Sequence, residues 1–320
     1  MAETSLQVFV KSITFEADRI NAYALHPTCA EQLPPFTAGA HIDVHLFQGT
    51  TRSYSLTNDQ SERHRYVIAV KREADGRGGS AFVHDRLKVG DTLTISPPRN
   101  NFAFDEAGHR SIFVAGGIGV TPIVSMIRRA ATLGRPWSIH YASRTRRDAA
   151  FLDEIGTLAR SSAGEVNAVF DHEWGGGALD LPEIVASAPG DAQLYCCGPL
   201  PMLEGFREAA KHRPARSVHL EYFSPREEAA IAGGFHVRLQ KSGRTVVVAP
   251  GQSILSALLD AGVNVAYACS EGTCGTCETR VIEGIPDHRD VYLTDDERAA
   301  NKQMMICCSG AKTPVLVLDL

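Results

Sequence analysis

The sequence predicts a chain of several domains: an antiparallel β-barrel or sandwich, an α/β domain with a parallel sheet, and a small α+β domain. Three observations predict this order. The first third reads as short alternating strands, the middle alternates strands with helices, and the last part carries clustered cysteines. A length of 320 residues is typical of two or three domains. We place them at residues 1–105, 106–228 and 229–320.

The first domain is predicted from alternation of apolar and polar residues, which is typical of strands buried on one face. Glycines separate the segments, as expected of turns in a small antiparallel barrel or sandwich. The predicted strands are Leu6–Thr14, His41–Leu46, Ser53–Thr57, Arg65–Lys71 and Thr92–Ser96.

The second domain begins with a buried type of strand, Ser111–Ala115, followed by a glycine turn. A helix is predicted over Pro122–Ala131, with Thr121 as its N-cap and Gly134 as its stop signal. Alternating strands and helices predict a parallel sheet covered on both faces. The further strands are Trp137–Ala142, Val166–Phe170 and Gln193–Cys197, and a helix is predicted at Met202–Lys211.

The third domain follows a predicted linker at residues 224–234, which is rich in charge, small residues and glycine. Two strands come next, at Phe235–Gln240 and Thr245–Val248. One apolar helix face, ended by Gly262, comprises Ile254, Ala257, Leu258 and Ala261. Thr294 and Glu297 form a capping-box pattern for a second short helix.

Charge and hydropathy exclude two classes of function. The net charge is −5 and no basic block is present, which argues against a nucleic-acid surface. The most apolar stretch, Ser111–Ile127, is shorter than the ~20 residues of a membrane helix and is broken by glycine and proline. No signal-peptide pattern is visible, so we expect a cytoplasmic protein without nucleic-acid or membrane partners.

The cysteine spacing is the most specific signal in the chain. Cys269-x4-Cys274-x2-Cys277, followed by 29 intervening residues and Cys307, fits the plant-type [2Fe-2S] pattern. A zinc site or free thiols are the alternatives, but structural zinc sites favour paired C-x2-C units. Spacing alone does not decide between Cys307 and Cys308 as the fourth ligand, because adjacent strand residues point to opposite faces.

Two loops of the second domain predict a dinucleotide site. Gly116–Pro122 joins a strand to a helix, whose N-terminus suits a pyrophosphate, although its spacing departs from the usual G-x-G-x-x-G. Cys197-Gly198-Pro199 follows another strand, and two such loops form a crevice at the carboxyl edge of a parallel sheet. The alternatives are glycines needed only for packing and a buried structural thiol at Cys197.

Two segments of the first domain could bind a phosphate and a planar ring. Arg52-Ser53-Tyr54-Ser55 offers a guanidinium fork and an aromatic face, and Gly78-Gly79-Ser80 offers exposed backbone and a hydroxyl. Taken alone, an arginine and a tyrosine on a strand are more often surface charge and packing.

Taken in chain order and together with Glu221-Tyr222-Phe223, the motifs described above resemble those of the phthalate dioxygenase reductase family. This family includes vanillate demethylase and carnitine monooxygenase reductases. The resemblance covers essentially the whole chain. It implies an FMN-binding β-barrel, then an NAD-binding α/β domain, then a plant-type ferredoxin domain of the β-grasp type.

The resemblance also implies roles for individual residues. Arg52, with Ser53, Tyr54 and Ser55, would hold FMN by its phosphate and ring, and Phe223 would cover the ring face that nicotinamide enters. Further FMN contacts would come from Ala69, Val70, Lys71, Gly78, Gly79 and Ser80. The nicotinamide and pyrophosphate would meet Gly116, Gly117, Gly119, Thr121, Pro122, Cys197, Gly198 and Pro199, with Thr121 and Cys197 facing the nicotinamide.

The adenosine half of the dinucleotide would lie against Ser143, Arg144 and Asp171. Asp171 beside a ribose 2′-hydroxyl would favour NADH over NADPH, and the arginines at 144, 146 and 147 oppose that preference. In the family's motif the first of the two cysteines is the cluster ligand, which selects Cys307. His288, in the segment Asp287–Asp290, is expected to form structural hydrogen bonds.

The resemblance implies a path of electrons from NADH through FMN and the [2Fe-2S] cluster to a separate terminal oxygenase. The chain itself shows no Rieske pattern and no iron triad, so we expect substrate oxidation to occur on that separate enzyme. From the resemblance we expect it to be a Rieske non-haem iron oxygenase acting on an aromatic acid or similar substrate. A haem monooxygenase partner is one alternative, and a ferredoxin-like carrier or sensor with an inactive flavin domain is another. We expect a monomer. The charged segment Asp287–Arg298 is either a docking surface or a solvated face.

Overall fold

The computed structural model describes residues 5–29, 31–47, 50–74, 76–173, 175–225 and 227–320. The chain forms two compact units, Met1–Phe223 and Ser224–Leu320. The first unit holds two separate sheets, and the second unit holds the cysteine cluster. The domain boundaries predicted at 105/106 and 228/229 stay predictions.

The first sheet is antiparallel and has six strands in the order β4-β3-β6-β1-β2-β5. Its outer strands β4 and β5 are joined by a bridge between Leu56 and Ile68, which closes the sheet into a barrel around apolar side chains. The strands are β1 (Leu6–Ala17), β2 (Ile20–Pro27), β3 (His41–His45), β4 (Thr51–Ser55), β5 (Tyr66–Lys71) and β6 (Thr92–Ile95), with helix α1 (Gly79–Asp85) after β5.

Strand β2 and helix α1 were not predicted. Most of β2 is buried, so its sequence lacks the alternation on which the strand prediction depends. Helix α1 is a short helix that begins inside the glycine motif, with Gly78 in the left-handed conformation as its N-cap. A helix this short has too few turns to show a periodic pattern.

The second sheet is parallel throughout, in the order β11-β10-β7-β8-β9, which confirms the predicted α/β class. Within the described residues, no helix is long and apolar enough to span a membrane. The strands are β7 (Ser111–Gly116), β8 (Trp137–Ser143), β9 (Gly164–Phe170), β10 (Gln193–Cys197) and β11 (Val218–Glu221), and the helices are α2 (Val120–Thr132), α3 (Leu152–Ser161), α4 (Leu181–Ser187) and α5 (Leu200–Ala209).

The predicted start of α2 was wrong. The glycine turn continues as a short 3-10 turn at Gly117–Gly119, so α2 begins at Val120 with Gly119 as its N-cap. Thr121 therefore lies inside the first turn, where its hydroxyl donates to the Ile118 carbonyl over 3.0 Å. Gly134 does follow the end of the helix, in the left-handed conformation with φ 64°.

One apolar core joins the barrel to the parallel sheet in the first unit. Phe102 and Ala38, from the barrel side, pack in the same cluster as Met126 of α2 and Tyr195 of β10. The Gly39 N–H also donates to the Ser125 hydroxyl of α2 over 3.1 Å. The barrel and the parallel sheet therefore have a fixed mutual position.

The second unit is a five-stranded mixed sheet, ordered β13-β12-β18-β14-β16, with a separate core of its own and a small β15-β17 pair. Helix α6 contributes Ile254 and Leu258 to that core, and the predicted capping box at Thr294 and Glu297 is present in α7. The elements are β12 (Phe235–Leu239), β13 (Thr245–Val248), α6 (Ile254–Asp260), β14 (Glu278–Glu283), β15 (Pro286–Asp287), α7 (Asp295–Ala300), β16 (Gln303–Met305), β17 (Gly310–Ala311) and β18 (Val315–Leu318).

Candidate functional site

The barrel presents an arginine fork over the first turn of α1. A side chain at Gly79 would place its Cβ 2.8 Å from Nε of Arg52, so only glycine lets Arg52 lie across this turn. The Arg52 guanidinium donates to the Thr51 carbonyl over 2.8 Å and to the Arg77 carbonyl over 3.4 Å, which fixes its orientation. The Ser80 hydroxyl beside it accepts the Glu73 N–H over 3.1 Å and can donate its own proton. These donors fit a flavin phosphate.

The two strands that carry the predicted ring contacts meet where the barrel closes. Tyr54 lies on β4, and Ala69–Lys71 lie on β5, which is linked to β4 by the Leu56–Ile68 bridge. The Val70 carbonyl is held by Nε2 of His84 over 2.7 Å. Burial raises the pKa of Tyr54 above its ordinary value, so this ring is a neutral surface at physiological pH.

Ser53 uses its side chain elsewhere. Strands β3 and β4 pair Asp43 with Ser53, and the Ser53 hydroxyl donates to Oδ1 of Asp43 over 2.6 Å. Asp43 is buried and also forms an ion pair with Arg99. Ser53 can therefore reach a flavin only through its backbone, and its assignment, like those of Gly78 and Ser55, stays a prediction.

The two predicted dinucleotide loops pack directly on each other at the carboxyl edge of the parallel sheet. Strands β7 and β10 are adjacent, and Ala115 pairs with Cys197. A Cβ on Gly119 would lie 2.3 Å from the Cys197 carbonyl oxygen, and one on Gly116 would lie 2.5 Å from Pro199. Any side chain at either glycine would push the loops apart, so both glycines are needed to form the crevice.

A tyrosine on the neighbouring strand holds the glycine turn in place. Tyr141 of β8 is buried, and its hydroxyl lies 3.2 Å from the Gly117 carbonyl and 3.3 Å from the Ala150 carbonyl, so it can donate to either. Gly117 itself has a positive φ of 53° and faces open space, on the side where a pyrophosphate would approach. Sequence reasoning missed Tyr141, because its position opposite Ala115 appears only in the sheet register.

Cys197, Glu221 and Phe223 come together at the ends of β10 and β11. Cys197 pairs with Glu221 across these parallel strands, and Phe223 follows two residues later with 38% of its surface exposed. Burial, with the Glu221 carboxyl nearby, raises the pKa of the Cys197 thiol well above its ordinary value. Cys197 is therefore an uncharged thiol that is not suited to nucleophilic attack. It is also fully buried, and its contact with nicotinamide stays a prediction.

Glu221 is a partly buried residue that sequence reasoning quoted only within a motif. Its Oε2 atom is buried without a hydrogen-bond partner among the described residues. Burial raises the pKa of Glu221 to about 8, so the carboxyl is largely protonated at neutral pH. The only sequence signal was its place two residues before Phe223, at the end of a strand that was itself not predicted.

The predicted adenosine contacts are adjacent at the same sheet edge. Ser143 ends β8 and Asp171 follows β9, and the Asp171 N–H donates to the Ser143 carbonyl over 3.2 Å. The His172 N–H likewise donates to the Arg144 carbonyl over 2.9 Å. The guanidinium of Arg146 lies 5.1 Å from the centre of the Phe170 ring. Ser143, Arg144 and Asp171 thus share one surface, and their roles stay predictions.

The four predicted cluster ligands form two thiol pairs. Cys269 lies within hydrogen-bonding reach of Cys274, and Cys277 within reach of Cys307. Two thiolates per iron are what a [2Fe-2S] cluster requires, so the arrangement fits this group. Within the described residues, no three His, Cys, Asp or Glu side chains are arranged to hold a single metal ion.

The loop between the thiols turns its backbone toward them. Ser270 and Gly272 have positive φ of 57° and 72°, and the Glu271 N–H donates to the Cys269 sulfur over 3.3 Å. The Cys274 side chain and these loop donors hold the pKa of the Cys269 thiol down, to about 5. These donors favour the thiolate form at Cys269 alone, because burial and the neighbouring thiols raise the pKa values of Cys274, Cys277 and Cys307.

Cys308 lies beside the second thiol pair, and its thiol is within hydrogen-bonding reach of Cys307. Its sulfur lies 3.8 Å from the Met305 carbonyl and 3.9 Å from the Ser309 hydroxyl, and it packs against Gly272, where a Cβ would lie 2.5 Å from it. The thiol within hydrogen-bonding reach of Cys277 is that of Cys307, which favours Cys307 as the fourth ligand, as the resemblance implies.

Comparisons with known proteins cover the whole chain. Three family models match: an oxidoreductase FAD-binding domain at residues 10–104, an oxidoreductase NAD-binding domain at 113–208 and a 2Fe-2S iron-sulfur cluster binding domain at 237–312. The phenoxybenzoate dioxygenase subunit beta of Ectopseudomonas oleovorans is 50% identical over 100% of this chain and 98% of that protein.

Two solved structures are similar over 99% of the chain, and each is 39% identical to it. The structure of phthalate dioxygenase reductase matches with a TM-score of 0.76, and 98% of that chain is covered. An intact type IV self-sufficient cytochrome P450 monooxygenase matches with a TM-score of 0.86. This chain spans only 41% of that longer protein.

The cysteine assignment predicts different results for two adjacent variants. Cys307→Ser removes one member of a thiol pair, so the purified variant should lose the cluster and nearly all of its iron. Cys308→Ser, the matched control, should retain about two irons per chain. Iron analysis and visible absorption decide this, and a full iron content in Cys307→Ser would refute the ligand assignment.

Burial of Glu221 predicts a pH-dependent stability. Its pKa is raised to about 8 in the folded state from 4.5, so unfolding releases a proton between these pH values and stability falls as pH rises. Glu221→Gln should raise the free energy of unfolding by on the order of 2–4 kcal/mol at pH 8, and by less than about 1 kcal/mol at pH 5. Urea unfolding followed by circular dichroism measures this, with the exposed Glu165→Gln as control. Equal gains at both pH values would contradict it.

Proposed function

Because this chain belongs to the phthalate dioxygenase reductase family, we propose that it is the NADH-dependent reductase of a two-component oxygenase system. The flavin is FMN, and the electron acceptor is a separate Rieske non-haem iron oxygenase acting on an aromatic acid or a similar small substrate. The chain covers 98% of the phthalate dioxygenase reductase structure, which supports a reductase separate from its oxygenase.

The observation that carries the proposal is that one chain contains a dinucleotide crevice, a flavin site and paired thiols. NADH gives up two electrons as a hydride and an iron–sulfur cluster accepts one at a time, and a bound flavin can do both. The crevice glycines, with Tyr141 fixing their turn, would hold the dinucleotide backbone, and Arg52 would orient the flavin phosphate. Phe223 would cover the flavin ring until nicotinamide enters, and the neutral Cys197 thiol would add no charge beside it.

Hydride transfer in this arrangement depends on placement and needs no general acid or base. Reacting atoms must come within about 3–3.5 Å, and the shared core of the first unit keeps the two binding sites at a fixed distance. The protonated Glu221 leaves the crevice free of a carboxylate charge at this point. The pathway would end at the [2Fe-2S] cluster held by the thiol pairs, which would pass electrons one at a time to the oxygenase.

A haem monooxygenase is the second candidate acceptor. It is favoured by the similarity to the reductase-sized part of the self-sufficient P450 structure. Reconstitution separates the two, because purified reductase and NADH should support oxygen-dependent turnover with one class of oxygenase only. We propose a monomer in solution, which light scattering can check.

The absorption spectrum tests the proposed function. The purified protein should show overlapping flavin and iron–sulfur bands, and anaerobic NADH should bleach both. In Cys307→Ser, NADH should bleach the flavin band alone, because the single-electron acceptor is missing. A cluster spectrum without flavin that NADH leaves unchanged, even after added FMN, would refute the reductase function and favour a ferredoxin-like carrier.

The nucleotide preference provides a separate prediction. Asp171→Ala should reduce the ratio of kcat/KM for NADH over NADPH by about tenfold, because a carboxylate beside the ribose would repel a 2′-phosphate. Steady-state cytochrome c reduction with each nucleotide measures the ratio. The adjacent exposed His172→Ala is the control, and a ratio unchanged in Asp171→Ala would remove Asp171 from the site.

A further inference from the structure

The segment Asp287–Asp290 has two faces with different environments. The Asp290 side chain is fully buried, and His288 beside it is only 10% exposed, whereas Asp287 and Arg289 are 25% and 35% exposed. The charged stretch Asp287–Arg298 is therefore not a uniformly solvated face. The buried residues His288 and Asp290 form an inner face, toward the loop that carries the cluster cysteines. Asp287 and Arg289 form an outer face, toward the residues that precede the first strand of the second unit.

The inner face supports the loop that carries the cluster cysteines. The Val291 N–H donates to the Gly272 carbonyl over 3.1 Å, and a Cβ on Gly272 would lie 2.9 Å from the Asp290 Cα. Oδ2 of Asp290 accepts the Leu293 N–H over 2.8 Å, and Arg298 donates to the Asp290 carbonyl over 2.7 Å. The His288 ring lies 3.8 Å from Asp290 and forms no hydrogen bond with the described residues.

The outer face binds residues 227–231, here called the strap, which are separated from the first strand of this unit, β12, by residues 232–234. Arg289 donates to the Glu227 carboxylate over 2.7 Å and to the Asp287 carboxylate over 2.8 Å. The backbone N–H of Arg289 donates to the Ser309 hydroxyl over 3.2 Å. One guanidinium thus joins the strap to a segment packed on the cluster loop.

The strap backbone also forms hydrogen bonds with the second unit. The Ala230 N–H donates to the Cys308 carbonyl over 2.7 Å, one residue after the ligand Cys307. The Ile231 carbonyl accepts the Gly251 N–H over 2.8 Å. Gly310 packs on Ala230, where an added Cβ would lie 2.8 Å from the Ala230 Cβ. The strap is therefore part of the cluster domain and does not act as a passive tether.

We propose that Glu227 and Arg289 are positioning residues for electron transfer from the flavin to the cluster. With the strap bound, only residues 224–226 separate Phe223 from the first anchored residue. A shorter free connection restricts the positions that the cluster domain can sample relative to the flavin and raises the fraction that allows transfer. Rates of electron transfer fall steeply with the distance between donor and acceptor. This inference rests on the proposed function.

The step it affects is a one-electron transfer. One electron leaves the reduced flavin and converts one ferric iron of the cluster to ferrous, and no covalent bond forms or breaks. The hydride transfer that reduces the flavin occurs wholly within the first unit and should not depend on the strap. The two rates therefore separate the role of the strap from that of the dinucleotide crevice.

The expected size of the effect is modest. Half of the Glu227 side chain and a third of the Arg289 side chain are exposed, so their ion pair is partly screened by solvent. Glu227→Gln and Arg289→Gln should each slow cluster reduction about two- to fivefold. The double variant should be no slower than Arg289→Gln, because that substitution already removes the Glu227–Arg289 pair. Ala230→Pro, which lacks the N–H donor, should slow the step further.

The test uses the full chain with both cofactors, mixed with NADH in an anaerobic stopped-flow instrument. Cluster reduction should slow in the Glu227 and Arg289 variants, while flavin reduction, iron content and the electron paramagnetic resonance spectrum of the reduced cluster stay unchanged. Glu228→Gln, the neighbouring carboxylate, is the matched control and should behave as wild type. Raising the salt concentration should slow wild type toward the variants and affect the variants less.

Hydrogen exchange provides a readout independent of activity. The Ala230 amide should exchange faster in Arg289→Gln than in wild type, because the strap opens more often. Unchanged cluster reduction in both single variants would overturn the inference, and so would a loss of iron that accounts for the slower rate. If NADH fails to reduce the cluster even in wild type, the proposed function itself is wrong.

Discussion

The shared apolar core of the first unit is the constraint on which the rest of the protein depends. It includes barrel residues such as Phe102 and parallel-sheet residues such as Tyr195, with α2 between them. A hydride transfer needs its two partners almost in contact, and therefore needs the flavin and dinucleotide sites to hold one fixed distance. Protein interiors are packed as densely as organic crystals and are hard to compress. Such a core therefore fixes the distance between the flavin site and the dinucleotide site.

The second unit meets a different physical requirement. A single electron can cross a gap that a hydride cannot, so the cluster needs only to come close to the flavin and not to touch the dinucleotide. The unit accordingly has its own core and its own sheet. A chain connection is then sufficient, and the bonds of Arg289 and Ala230 show how that connection is anchored at the cluster end.

Close backbone approach recurs at each predicted site. Gly79 makes room for Arg52, Gly119 for the Cys197 carbonyl, and Gly272 for Cys308 and Asp290. In each case the added Cβ would come within 3 Å of a neighbour. The glycines in the quoted motifs therefore act by letting protein atoms approach one another, which then places the donors that face a ligand.

Much of this protein follows from sequence by local rules. Cysteine spacing, the glycine turn after a buried strand and the capping box at Thr294 are short-range patterns, because ligand geometry and helix ends depend on residues close in the chain. The strand and helix alternation likewise predicted the parallel sheet. The resemblance to a family added the order of the cofactors.

Only the tertiary structure decided which distant residues share a site. Tyr141 reaches Gly117 through the sheet register, Glu221 pairs with Cys197 across two strands, and Arg289 meets Glu227 from 62 residues away. Burial then changes their chemistry, as for the raised pKa of Glu221, which no local pattern encodes. The start of α2 was mispredicted for a related reason: Thr121 has the residue type of an N-cap, but the packing of the glycine turn against Cys197 determines where the helix begins.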